Sequence, residues 1–289
     1  MMLRLRCLLL LLCLSTVLLS AQTDSTLTLA NETAEYSELV LRLNYVNRAL
    51  YAGRDLGVAQ YVISGGASYY HKTGLFAEVN GYWYSEIEPR YNLTTITAGY
   101  SATLTTQEII GITLSYDRLF FNIGEPQTPR FPRLGYEPVN QATLENSLNL
   151  SLNFDFDFIN FGTDYSFLFG DDQAHRLNIY VSGYKAFKAV GFLDKITFAP
   201  TISTLLANDN ITSVRLVNTQ YQRRRVALNE SNAFGLMMYD FSLPVGCHIR
   251  PLKLTFNYHY TIPQKVNDND REAYNPVHYF TVGLSCMIR

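Results

Sequence analysis

Five histidines have the most chemistry to offer: His71, His175, His248, His259 and His278. An imidazole acting as general base needs a nucleophile within reach and a third group to orient it. His259 is the best placed, because Thr255 and Asn257 precede it at two-residue steps and share its face of an alternating segment. No serine stands beside a histidine with an orienting partner in a readable motif. Hydrolysis would therefore need a triad dispersed along the chain. Asp155 and Asp157 form a second constellation. On one strand face their side chains stand roughly 7 Å apart. Ca²⁺ takes about six to eight oxygens, so the pair would need several more ligands. The plainer reading is two solvated or Lys/Arg-paired carboxylates, with no metal and no cofactor. Arg223-Arg224-Arg225 is a third feature, either a contact for an acidic ligand or a solvated charge run.

These groups acquire meaning from the elements that hold them. Leu148 to Phe158 reads LNLSLNFDFDF, with Leu or Phe at every even position and Asn, Ser or Asp at every odd one. Successive side chains on a strand point to opposite faces, so one face is wholly apolar and the other wholly polar. A helix would need apolar residues at three- and four-residue steps. The same alternation recurs along the chain. It predicts strands around Leu39–Tyr45, Val58–Tyr70, Leu75–Tyr84, Thr95–Leu104, Ile110–Asp117, Leu148–Phe158, Phe161–Phe169, Leu177–Ser182, Lys195–Leu205, Met237–Val245, Leu252–Ile262 and Tyr279–Ile288. Pro200 weakens the ninth, since proline cannot donate to a ladder. Long connections are expected at Phe121–Thr143, Leu206–Asn232 and Pro263–Pro276.

Beyond the first residues, no apolar run is long enough for a helical span. A membrane protein without one must be a closed barrel, the other structure that satisfies every backbone group in lipid. The expected fold is all-β, a transmembrane up-and-down antiparallel β-barrel of about twelve strands, with ten and fourteen as the alternatives. A basic residue on the lipid face near mid-membrane costs about 2–4 kcal/mol. Arg42, Glu78, Asp155, Asp157, Asp164, Asp240 and Lys253 all fall on polar faces, which assigns them to the lumen. The other expected lumen residues are Asn80, Tyr82, Asp117, Asn153, Tyr180, Asn257 and His259. Arg130 and Arg133 in the first long loop, with Arg223, Arg224 and Arg225 in the second, are expected outside the cell.

The chain opens MMLRLRCLLLLLCLSTVLLSAQ. Arg4 and Arg6 make a positive start, an apolar core follows, and Ala21 closes it. This predicts a signal peptide over 1–21, a periplasmic leader over 22–36 and the barrel over 37–289. Without Arg4 and Arg6 the 23 basic residues fall to 21 against 25 acidic ones, a net charge of −4. That balance gives no footprint for nucleic acid. Of four cysteines, only Cys247 and Cys286 lie beyond residue 21. The first is expected in a turn and the second two hairpin arms away, too far apart for a bridge.

The terminal segment HYFTVGLSCMIR, with Gly283 followed by Cys286 and Ile288, is similar to the signal read by the barrel-assembly machinery. It departs by ending in Ile288-Arg289 instead of an aromatic residue. With the runs YAGRDLG, SYYHKTGLF and YNLTTITAGYS, it resembles bacterial outer-membrane β-barrel proteins of the uncharacterised Gram-negative envelope type. The resemblance implies an exported, integral outer-membrane protein in contact with lipid and with the assembly machinery. It implies no activity. A polar lumen is suited to a narrow channel or uptake pore for a small polar solute. The alternatives are a structural or surface-binding barrel acting through its long loops, and an outer-membrane lipid hydrolase.

Overall fold

The computed structural model describes residues 37–51, 54–55, 60–86, 89–104, 109–122, 144–208, 213–219, 222–228, 234–264 and 275–289. The expected signal peptide and leader, Arg130 and Arg133 lie outside the described residues. The described elements are all strands. They are β1 (Glu38–Val46), β2 (Leu50–Tyr51), β3 (Arg54–Asp55), β4 (Val62–Tyr70), β5 (Leu75–Tyr84), β6 (Tyr91–Thr103), β7 (Ile110–Phe121), β8 (Asn146–Phe156) and β9 (Ile159–Phe169). There follow β10 (Gln173–Gly183), β11 (Lys185–Val190), β12 (Leu193–Phe198), β13 (Thr201–Ala207), β14 (Ser213–Thr219), β15 (Gln222–Leu228), β16 (Gly235–Ile249), β17 (Leu252–Pro263) and β18 (Val277–Ile288).

Twelve of these close a ring. Antiparallel pairing runs β1-β4-β5-β6-β7-β8-β9-β10-β13-β16-β17-β18, and β18 returns to β1 with Leu41 opposite Cys286 and Leu43 opposite Leu284. Closure leaves no edge strand in the ring, so backbone groups find partners within the wall. β11 and β12 extend it. Ser182 faces Thr201 between β10 and β13, and Lys185 faces Phe198 between β11 and β12 without a change of register. Likewise β16 takes β13 at Ser242–Thr201 and β12 at Gly246–Thr197. Each pair is one long strand that breaks near Pro200, where the ring removes a ladder donor. The wall is therefore taller here than at the β8–β9 turn.

The structure corrects several boundaries. The second ring strand begins at Val62, not Val58, and the connection before it carries the short β2–β3 hairpin. β7 continues to Phe121, so the first long loop starts later. The expected Leu206–Asn232 loop contains the β14–β15 hairpin, with Arg223, Arg224 and Arg225 on β15. β16 runs to Ile249 where a turn from Gly246 is expected. This puts Cys247 on a strand, opposite Leu254. Both Cys247 and Cys286 are free thiols. β8 stops at Phe156. Asp157 sits in the following turn at φ 60° and is exposed, so it is not a strand-face residue of the lumen.

The two faces of the wall are sorted oppositely to a water-soluble protein. Leu41, Leu43, Leu75, Val79, Ile96, Leu114, Leu148, Leu150, Phe161, Ile179, Ile202 and Phe241 stand exposed on the outside. Ser64, Ser68, Glu78, Ser147, Asn153, Asp240, Asn257, Thr261 and Thr281 are buried inside. A continuous apolar belt of this extent exceeds what a soluble monomer exposes. Aromatic pairs punctuate the belt, among them Trp83 with Tyr91 at 4.6 Å between ring centroids.

Candidate functional site

Three polar networks line the interior, each assembled from neighbouring strands. In the first, Arg42 of β1 donates to Glu78 of β5 at 3.4 Å and to the Tyr70 hydroxyl of β4 at 2.6 Å. Tyr70 in turn donates to the other Glu78 oxygen at 2.6 Å. Each group satisfies the others, which is what permits a carboxylate and a guanidinium to be this enclosed. Asn80, next on the same face as Glu78, lies over Gly66.

The second network spans β7 to β10. Asn149 donates to Asp117 at 2.7 Å, and Asn178 donates to Asp164 at 3.3 Å. The Tyr180 hydroxyl bonds the Asn153 side-chain oxygen, and its ring rests on Gly162. A Cβ at Gly162 would stand 2.1 Å from the ring. Gly162→Ala is thus expected to destabilise the barrel by about 1–3 kcal/mol, the range for overpacking. Urea unfolding should show this, and the cost should vanish in a Tyr180→Ala background. Lower on β8, the Asn160 amide, oriented with its NH₂ toward Asp155, donates to Asp155 Oδ1 at 2.7 Å.

The third network holds the histidine with most chemical promise. Asp240 Oδ2 bonds His259 Nδ1 at 2.9 Å, and Thr261 donates to Asp240 Oδ1. The His259 ring stacks on Tyr279, with centroids 4.3 Å apart and planes 6° off parallel. This is the orientation an Asp gives a catalytic imidazole. His259 Nε2, however, is buried without a hydrogen-bond partner, so no hydroxyl is bonded to it. An oriented base is present, and an assembled nucleophile–base pair is not. Asn257, two residues earlier, also buries an unbonded oxygen. His175 and His278 join the outer aromatic belt instead, against Tyr165 and Tyr258. His71 bonds Thr73 in a turn. Among the described residues no three His, Cys, Asp or Glu side chains group as a metal site.

One part of the interior is apolar. At the mouth opposite the chain termini, Leu50 packs with Val46, Val62, Val277 and Tyr279, flanked by Ala49, Tyr82 and Tyr84. The β1–β4 connection is pinned there by Ala49 N donating to Gln60 O at 2.7 Å. Asn47 adds a bond from the Phe280 amide at 3.0 Å. Alternation cannot reveal Leu50, since the two-residue strand β2 that holds it is too short to show a period. Tyr70, Thr261 and Tyr279 follow the strand period, but their partners lie on other strands and carry no local signal.

No protein-family model and no curated protein matches the chain. Solved structures do. The NanC porin is 14% identical, with 86% of this chain and 98% of that one aligned at a TM-score of 0.47. The KdgM porin is 8% identical over 87% and 99% of the two chains, also at 0.47. An outer-membrane channel from Pseudomonas putida F1 is 7% identical over 93% and 100%, at 0.45. At these identities and scores the likeness is one of general architecture, and no solute or chemistry passes from them to this chain. Ring closure, an apolar outer wall and a polar inner wall define the class: a transmembrane-type antiparallel β-barrel of twelve strands.

Proposed function

We propose that this chain is an outer-membrane channel for small polar solutes. One observation carries the reading. The inner wall is built from charged and amide side chains in hydrogen-bonded networks around the barrel, while the outer wall is the apolar one. A structural barrel needs only the outer face. Lining the inside with Arg42, Glu78, Asp117, Asp164, Asp240 and His259 suits a polar path, because hydrogen bonds within the wall hold each of them off the lipid. Twelve strands fall between barrels packed solid and barrels with wide channels. In this reading the apolar cluster around Leu50 is the cover that narrows the path.

The test is single-channel recording of the refolded protein in a planar bilayer. Discrete ohmic steps are expected. The Leu50→Ser variant, which loosens the cover, is expected to conduct more than the parent. A folded barrel that stays silent in both forms would end the passive-channel reading.

A further inference from the structure

Strand β11 has a neighbour on one side only. It stands last in the large sheet, paired to β12 with Lys185 opposite Phe198 and Phe187 opposite Ile196. β10, which leads into it, is covered on its other side by β9 as far as Gly183 opposite Ile159. Tyr184 N then donates to Phe158 O at 2.9 Å, and there β9 begins. From Lys185 to Val190 the side of β11 turned away from β12 meets no strand among the described residues. Every other strand of the fourteen-stranded sheet has described neighbours on both sides. Along a strand, alternate residues turn their N–H and C=O groups to one side. The six residues of β11 present such a set over about 20 Å. An edge of this kind is a template for an added strand.

The edge stands clear of the hydrocarbon. Lys185, Phe198 and Val245 lie opposite one another, in line with Leu243 and Phe241 of the outer belt. Lys185 is therefore on the outer face, as is Phe187 two residues on. A basic residue there costs little only near the membrane interface. β12 meets β16 at His248, beside the β16–β17 turn, so β11 projects from the end of the barrel that carries the chain termini. A water-soluble segment can reach it there.

Charge selects the occupant. Lys185 on the outer face and Lys188 on the inner face are both exposed and stand three residues apart along the edge. Asp194 of β12 accepts from the Arg250 amide at 2.8 Å. Exposed Asp157, in the β8–β9 turn, is the one acid brought to the start of the edge, against two lysines. A second copy of β11 would bring four lysines to a single seam, which is how edge lysines deter self-pairing. An acidic strand meets attraction instead. We propose that the open edge of β11 is a docking site for an extended acidic peptide segment, added as a strand that continues the wall past the β8–β9 turn. Directly opposed residues share a face and interact. An antiparallel occupant should therefore carry Asp or Glu opposite Lys188 and Lys185, three positions apart, with an apolar residue opposite Phe187. The site is independent of the channel reading, because it lies on the edge of the wall and not in the lumen.

The test uses the fluorescent peptide TVTEVTEVT, titrated into the refolded full chain in zwitterionic nanodiscs and read by anisotropy. Saturable binding is expected, weakening as salt is raised. The Lys185→Glu/Lys188→Glu variant should bind this peptide about tenfold more weakly or worse, and should take TVTKVTKVT in its place. If that variant does not fold, Lys188→Gln alone should weaken binding about threefold. Strand addition has a signature of its own, because alternate peptide amides face the edge. Methylating one alternate set of peptide nitrogens should abolish binding, and methylating the other should leave affinity within about twofold. Equal loss from both sets, unchanged affinity in a folded lysine variant, or no binding by the parent would overturn the site. A dimer of the full chain that the peptide cannot displace would give the edge to a second copy, and would overturn the peptide assignment as well.

Discussion

Replacing Arg42 by methionine is expected to destabilise the barrel by about 3 kcal/mol, at the lower end of the range of about 3–5 kcal/mol for removing one partner from a buried ion pair. The side chains of Arg42 and Glu78 are only 14% and 7% exposed, so solvent screens the pair little. Without the guanidinium, Glu78 keeps the bond from the Tyr70 hydroxyl and no other among the described residues. That residual bond is why the lower end of the range applies. The Arg42→Met/Glu78→Gln double variant should regain most of the loss, since a neutral amide still accepts from Tyr70 and leaves no charge enclosed. Urea titration in lipid vesicles reads both, with Trp83 as the single tryptophan reporter on the outer wall. Equal instability of the single and double variants would mean that packing of the Arg42 stem, not its charge, holds these three strands together.

That network also marks where the sequence stops being informative. Arg42 and Glu78 each fall on a polar face by simple alternation, so their side of the wall is legible. Their pairing is not, because 36 residues and a full hairpin separate them. The same holds for Asp240 and His259, which meet across the β16–β17 hairpin. Strand period reports a face, whereas ring closure and register choose the neighbour. The period also misleads at strand ends. Asp157 and Phe158 continue the pattern of β8, yet a tight turn to β9 needs them, and Asp157 takes the left-handed backbone that Asp tolerates. At Pro200 the chemistry of one residue interrupts the ladder, while the register on either side persists. Lys185 and Lys188 are unremarkable in sequence. They border an open edge only because β9 begins at Ile159 while β11 runs on past it.

The outer wall makes the opposite kind of prediction, one that depends on the solvent outside. Leu150 lies near the middle of β8, between Leu114 of β7 and Tyr165 of β9 on the outer face. Leu150→Arg is expected to cost about 2–4 kcal/mol when the barrel folds into a bilayer, the range for a basic residue facing lipid near its midplane. Ser151→Arg, one residue on, turns the same side chain inward, beside Asp164 in the facing position. There the guanidinium gains a carboxylate neighbour and stays off the lipid, so its expected cost is below about 1 kcal/mol. Reversible folding into phosphatidylcholine vesicles measures both. The difference between adjacent positions, about 1–4 kcal/mol, corresponds to roughly fivefold to a thousandfold in the folding equilibrium. Chain propensity cannot produce such a gap, because the substituted residue is the same and the strand is the same. Only the surroundings differ, lipid on one side and a polar interior on the other. Equal costs at Leu150 and Ser151 would place water on both faces of the wall, and the exposed leucines of the outer belt would then have to be covered by protein instead of lipid.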